Sequence, residues 1–162
     1  MFDPTAFDNM KTLLEGMIYD DDLHGDIKVI KREDVVNLAR MNRVFTIGFK
    51  LSGKDVEALM KLEMQNSQLY EELLGKTKDP SCNLAVSFHY QDTHLFQIQT
   101  KQEWLEQYLE KEVNVIVSYN PLQEERDYNI SFLVPMAEGL KEDEMELLEV
   151  IYEKMIVALQ QF

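Results

Sequence analysis

Residues 83–90 read NLAVSFHY, in which Leu84, Val86, Phe88 and Tyr90 alternate with Asn83, Ala85, Ser87 and His89. A period of two sends successive side chains to opposite sides of an extended backbone, so this stretch is a strand with one buried and one open face. The alternation recurs in Phe45, Ile47, Phe49 and Leu51, in Val113, Val115, Val117 and Tyr119, and in Tyr128, Ile130, Phe132 and Val134. Parallel sheets are covered on both faces and read as continuous apolar runs, so the pattern predicts an antiparallel sheet. Helical periods occupy the intervening sequence. The expected fold class is α+β: a mostly antiparallel sheet of about five to seven strands with helices packed on one face, in two layers, as a single domain over residues 1–162.

Four helices are expected around these strands. Asp3-Pro4 is a helix start, with Phe7, Met10 and Leu14 on one face and Gly16 beyond the end. Ser52 with Asp55 three positions later reads as a capping box opening a helix that runs to Leu74, with Gly75 as its stop and a possible break at Gln65-Asn66-Ser67. Thr100 and Glu103 form a second capping box, followed by a helix to about Lys111. The last helix, about Lys141 to Gln161, carries the stripe Met145, Leu148, Tyr152, Met155 and Leu159, and a second apolar set, Leu147, Val150 and Val157, well round the cylinder. Two apolar faces need two packing partners, of which the sheet is one and a second subunit is a candidate for the other.

Thirty acidic against sixteen basic residues give a net charge of −14. That balance repels nucleic acid and anionic lipid, and no apolar run approaches the ~20 residues that span a bilayer, so neither direct nucleic-acid nor membrane binding is expected. The basic cluster Lys28, Lys31, Arg32, Arg40 and Arg43 is diluted by Glu33 and Asp34 and does not read as a phosphate site. A lone Cys82 and the lack of an export-type leader predict a cytoplasmic protein with a small buried thiol.

Residues 19–26, YDDDLHGD, pose the sharpest question of chemistry. Counted from Asp20, the stretch offers Asp20, Asp22 and His24, then Gly25 at the turn position of a calcium loop. The twelfth position is Lys31, where calcium needs a bidentate glutamate, and imidazole is a poor donor to a hard cation. The expectation is instead a hairpin pairing residues 16–21 with 26–31 across Leu23-His24-Gly25, with Asp21 facing Lys28. His89 and His94 similarly suggest a metal fragment, but a hairpin over Gln91-Asp92-Thr93, matching Tyr90 to His94, Phe88 to Phe96 and Val86 to Ile98, puts the two imidazoles on opposite faces. Phosphate-loop, dinucleotide, zinc-protease and nucleophile-elbow motifs are all missing, and no cofactor is expected.

Two features favour interaction over catalysis. The open sheet face reads Asn83, Ser87, His89, Asn114, Ser118, Asn129 and Ser131, uncharged in a chain otherwise dense with charge. The other is the outer side of the last helix at Leu147, Val150 and Val157. The expected function is a non-catalytic protein-binding or regulatory module, homodimeric or bound to another cytosolic protein. A metal-assisted hydrolase using Asp20, Asp22 and His24 is the catalytic alternative, and an acidic nucleic-acid mimic a further one. In size, acidity, α+β order and apolar carboxyl-terminal helix the chain resembles secretion chaperones that dimerise and hold an export substrate, which adds an acidic chaperone-like role to the alternatives.

Overall fold

The computed structural model describes residues 6–162. Its elements are α1 (Ala6–His24), β1 (Ile27–Asn37), β2 (Asn42–Leu51), β3 (Glu57–Met64), α2 (Asn66–Leu73), β4 (Ser81–Asp92), α3 (Ile98–Leu109), β5 (Asn114–Ser118), β6 (Tyr128–Lys141) and, after a single turn of 3-10 helix at Glu142–Glu144, α4 (Glu146–Gln161). The six strands form one open sheet in the order β1-β2-β3-β4-β6-β5, every pair antiparallel. The α+β architecture read from alternation is the one adopted. Phe45, Ile47 and Phe49 of β2, Met60 and Leu62 of β3, Val86 and Phe88 of β4 and Ile130 and Phe132 of β6 are buried on one face, against α1 residues Phe7, Met10, Leu14 and Ile18 and α4 residues Leu148, Ile151, Met155 and Leu159. The α3 residues Leu105 and Leu109 complete this core.

Local readings differ from the structure in four places. The Asp3-Pro4 start lies outside the described residues, but α1 does not stop before Gly16. It runs on to His24, because Ile18 continues the buried stripe of Met10 and Leu14 and outweighs the roughly 1 kcal/mol that a mid-helix glycine costs relative to alanine. The expected hairpin around His24-Gly25 is therefore the end of a helix. Gly25 adopts φ +85°, its N–H bonds the Asp22 carbonyl and the Asp26 N–H bonds the Asp21 carbonyl, which together close α1 as a Schellman motif.

The second difference is at 52–74. Residues Glu57–Met64 are a strand, with Ala58, Met60, Leu62 and Met64 buried in alternation. Glu, Ala, Leu, Met and Lys are good helix formers, but β2 and β4 flank this segment on both sides and tertiary pairing overrides propensity. The Ser52 hydroxyl bonds the Gly25 carbonyl instead of capping a helix, and only Asn66–Leu73 is helical, ended at Gly75 as expected. Third, α3 begins at Ile98, with Gln97 rather than Thr100 before its first residue. Fourth, β4 pairs with β3 and β6, so residues 93–97 are a connection to α3, and His94 and Phe96 are exposed rather than in a hairpin.

Two side chains lock α4 in place. The Tyr152 hydroxyl donates to Asp21 Oδ2 at 2.6 Å, and the Lys54 ammonium donates to the main-chain oxygens of Leu159, Gln160 and Phe162 at 3.2, 2.9 and 3.3 Å. A cation at this end satisfies carbonyls that the helix leaves without partners and complements its dipole. Pro135 sits within β6, where β5 no longer pairs. The last β5 contact is Asn114 with Leu133, so beyond that point β6 has a free side and a missing N–H is tolerated.

Candidate functional site

Residues paired across adjacent strands share a face, so the register defines the open side of the sheet. Ser131 pairs with His89 on one side and Ile116 on the other, Asn129 with Gln91 and Ser118, and Leu133 with Ser87 and Asn114. The row continues through His89 to Glu57 and through Ser87 to Leu59 and Gly48. Ser87, His89, Asn114, Ser118, Asn129 and Ser131 thus lie on a single face, opposite the one that packs against α1 and α4.

The centre of that face is a hydrogen-bonded chain. Ser87 Oγ lies 2.7 Å from His89 Nε2, and Ser131 Oγ lies 2.7 Å from His89 Nδ1. Burial lowers the His89 pKa and favours the neutral ring, so one hydroxyl donates to the bare nitrogen and the other accepts the ring N–H. Beside it, Gln91 Nε2 donates to Asn129 Oδ1 at 2.8 Å. Asn83, further along β4, accepts from Gln68 Nε2 at 3.2 Å and from the Gly139 N–H at 3.0 Å, where β6 departs from regular pairing. Ser87, His89, Ser131, Gln91 and Asn129 are consequently bonded to one another at the centre of the face.

Between this chain and β1 the face dips into a trough of about 1160 Å³, whose walls include Ile30, Lys31, Lys50, Leu59, His89 and Ser131. Gly48 shapes its floor. A Cβ built there would stand 2.5 Å from Leu59 Cδ2 and 3.1 Å from Lys31 Cβ, so the glycine is what lets Leu59 lie flat across β2. Lys31 and Lys50 are paired at the rim with Glu33 at 3.3 Å and Asp55 at 3.5 Å.

A serine hydroxyl on a neutral imidazole is the beginning of nucleophilic chemistry, but here the other ring nitrogen meets a second hydroxyl instead of an orienting carboxylate. The surrounding backbone belongs to β4 and β6, each flanked on both sides along this stretch, so its N–H groups are engaged in ladders rather than turned toward a developing oxyanion.

The other sequence candidates fall elsewhere. Asp20, Asp22 and His24 occupy the last turn of α1, where His24 Nδ1 is 2.7 Å from the Asp20 carbonyl, so the twelve-residue calcium loop is half helix and half strand. Among the described residues no group of three or more His, Cys, Asp or Glu side chains is placed to hold a metal ion. Cys82 is buried, and desolvation pushes its thiol up to about 12. Leu147, Val150 and Val157 on α4 remain 41, 47 and 39% exposed, in the helical layer and remote from the serine–histidine chain. Sequence reasoning passed over Gln91, Leu59 and Ile116 on the open face. Parity alone identifies Gln91, two residues beyond His89, and Ile116, midway between Asn114 and Ser118.

Comparison with protein-family models, with curated proteins and with solved structures returns no match. No helix among the described residues is long and apolar enough to cross a membrane.

Proposed function

We propose that the protein is a non-catalytic protein-binding module, working as a homodimer, whose docking surface for a partner is the open face of the sheet. The observation that carries this reading is the internally bonded polar array Ser87–His89–Ser131 with Gln91–Asn129, set among Leu59, Ala85, Leu133 and Ile116 on the face opposite α1 and α4. Charged groups at the centre of an interface must be desolvated at high cost, whereas neutral groups already bonded to each other lose little on being covered. In a chain of net charge −14, the face from β4 to β5 is neutral and dotted with apolar groups, while its charges lie on the β1 to β3 side at Lys31, Lys50, Glu57, Lys61 and Glu63, an arrangement like that of an interface core and its border.

The test is site-specific photo-cross-linking in extract of the native host, with the photoreactive residue at Ser87 or, as a control on the helical side, at Gln107. The expected result is one adduct of defined mass from Ser87 that excess wild-type protein competes away and excess Leu133→Lys protein does not. Equal labelling from both positions, or competition by Leu133→Lys as strong as by wild type, overturns the assignment.

A further inference from the structure

The two ends of the sheet differ, and the difference points to a specific contact. We infer that β5 is the homodimer interface: two copies pair β5 with β5 antiparallel about a two-fold axis at Ile116, joining their sheets into one of twelve strands. This rests on the homodimeric part of the function proposed above and names its surface.

An edge strand offers a row of unpaired N–H and C=O groups, and proteins that stay monomeric obstruct it with very short length, charge, proline, bulges or cover. Within Asn114–Ser118, NVIVS, there is no charge and no proline, and its pairing with β6 is regular throughout. Its start is held rigid by α3: Gln102 Nε2 donates to the Val113 carbonyl at 2.8 Å, and the Val113 N–H donates to Glu106 Oε1 at 3.2 Å. At its end Tyr119 packs edge-on against Tyr128. The strand is therefore preorganised, and an incoming strand need not order it. Ile116, Val117 and Tyr119 are 53, 39 and 46% exposed along it.

A second copy fits because the strand is complementary to itself. A two-fold axis perpendicular to the sheet keeps both open faces on one side, which requires residues of the same parity to meet. Centred on Ile116, the register sets Ile116 against Ile116 on the open face, Val115 against Val117 on the helical face, and Asn114 against Ser118. Continued outward it sets Val113 against Tyr119, Glu112 against Asn120 and Lys111 against Pro121. Arg126 is held over the Tyr119 ring at 5.2 Å, which brings it to the neighbourhood of Glu112 of the partner subunit, while Lys111 meets the loop that carries Glu124 and Glu125. Opposite charges thus flank an uncharged centre on both sides of the axis. The α4 stripe is a poorer match for a second copy, since Leu147, Val150 and Val157 run among Glu146, Glu149 and Glu153.

The deciding experiment combines mass measurement with cysteine cross-linking in a Cys82→Ser background. Light scattering over a concentration series should show a monomer–dimer equilibrium that Ile116→Lys weakens at least tenfold with an unchanged circular dichroism spectrum. Under oxidation Ile116→Cys should link to itself. Asn114→Cys alone and Ser118→Cys alone should not, but a mixture of the two should. Glu112→Arg or Arg126→Glu should each weaken the dimer several-fold, and the two together should restore it. If the wild type is monomeric at every concentration, both this inference and the homodimeric part of the proposed function fail. If it is dimeric but cross-links through Val157→Cys and not through Ile116→Cys, the dimer stands and the β5 assignment falls. Partner capture at Ser87 is read separately and depends on neither result.

Discussion

The strands β1 and β5 occupy equivalent positions, one at each end of the same sheet, and are built to opposite specifications. β1 has eleven residues, of which Lys28, Lys31, Arg32, Glu33 and Asp34 are charged, and its pairing with β2 slips between Val29 and Lys31. β5 has five residues, none charged, in unbroken register. Charge and a bulge are the common means of making an edge unreceptive. On β1 several of those charges also fasten α1 to the sheet: Arg32 to Glu15 at 2.6 Å, and Asp34 to Lys11 at 2.6 Å and to Arg43 at 2.8 Å, with Arg43 reaching Asp8 at 2.9 Å and lying 4.5 Å over the Phe7 ring. The contrast teaches that one edge is closed by groups with structural work to do, while the other has been left plain.

The largest effect is expected from breaking the closed edge. Asp34→Ala strands Arg43 and Lys11 without their shared acceptor, and loss of charge-assisted hydrogen bonds in a partly buried network should destabilise the monomer by about 2 kcal/mol. Urea unfolding measures this. Self-association should be unaffected once the folded fraction is accounted for. A dimer that dissociates in step with Asp34→Ala would mean that β1 and not β5 is the joined edge.

Next in size is Gly48→Val, which drives a branched side chain into Leu59 and Lys31 where a Cβ alone already stands 2.5 Å from Leu59. Displacing Leu59 from across β2 should cost about 1–2 kcal/mol, at the lower end of overpacking substitutions because Leu59 lies at the surface of the open face. It should also weaken partner capture at the open face while leaving Ile116→Cys cross-linking intact. Simultaneous loss of both would show that face and edge are one surface.

Much of this comparison is visible in the sequence, though unevenly. The buried faces of β2, β4, β5 and β6 are continuously apolar, which puts Ser87, His89 and Ser131 together on the other face, while Ile116 and Leu133 interrupt the alternation there as apolar residues. β3 hid itself: its alternation is real, but its residues are helix formers and Leu59 and Met60 are adjacent apolars that fit a helical stripe as well as a strand. The end of α1 was obscured because a glycine at position 16 is usually a stop, whereas Gly25 is the residue that takes the left-handed conformation. Ile116 does not stand out in a polar row, being an apolar residue between Asn114 and Ser118 whose meaning depends on β5 lying at the sheet's edge. The clamp of Asp34, Lys11 and Arg43 joins residues that only the packing of α1 against the hairpin brings into contact.

The closed edge should respond to acid and the open one should not. Arg43, and then Lys11, hold the Asp34 carboxyl at about 2, below its ordinary 3.8. With the folded-state value below the unfolded one, this stabilisation is complete above about pH 4 and is lost as pH falls through about 2. After solvent screening it amounts to on the order of 1 kcal/mol. Subtracting the Asp34→Asn unfolding curve from the wild-type curve across this interval isolates it. A difference that stays constant with pH would sink the clamp as described.

The smallest expected effect is the most discriminating. Val157→Glu changes an exposed position on the outer stripe of α4, where Lys154 three residues earlier and Glu153 four residues earlier largely offset each other, so stability should move by no more than about 0.5 kcal/mol. Mass in solution should not move either, because singly exposed apolar residues at 39 to 47% are ordinary for a helix surface. Ile116→Lys, at a comparable exposure of 53%, should by contrast weaken association at least tenfold. The two substitutions differ little in burial, and each introduces a single charge, negative on α4 and positive on β5. What separates them is backbone: β5 presents free N–H and C=O groups beside its side chain, whereas the hydrogen bonds of α4 are closed within the helix. If Val157→Glu yields the monomer and Ile116→Lys does not, then side-chain packing decides the assembly, and the plainness of the β5 edge is a matter of its short length alone.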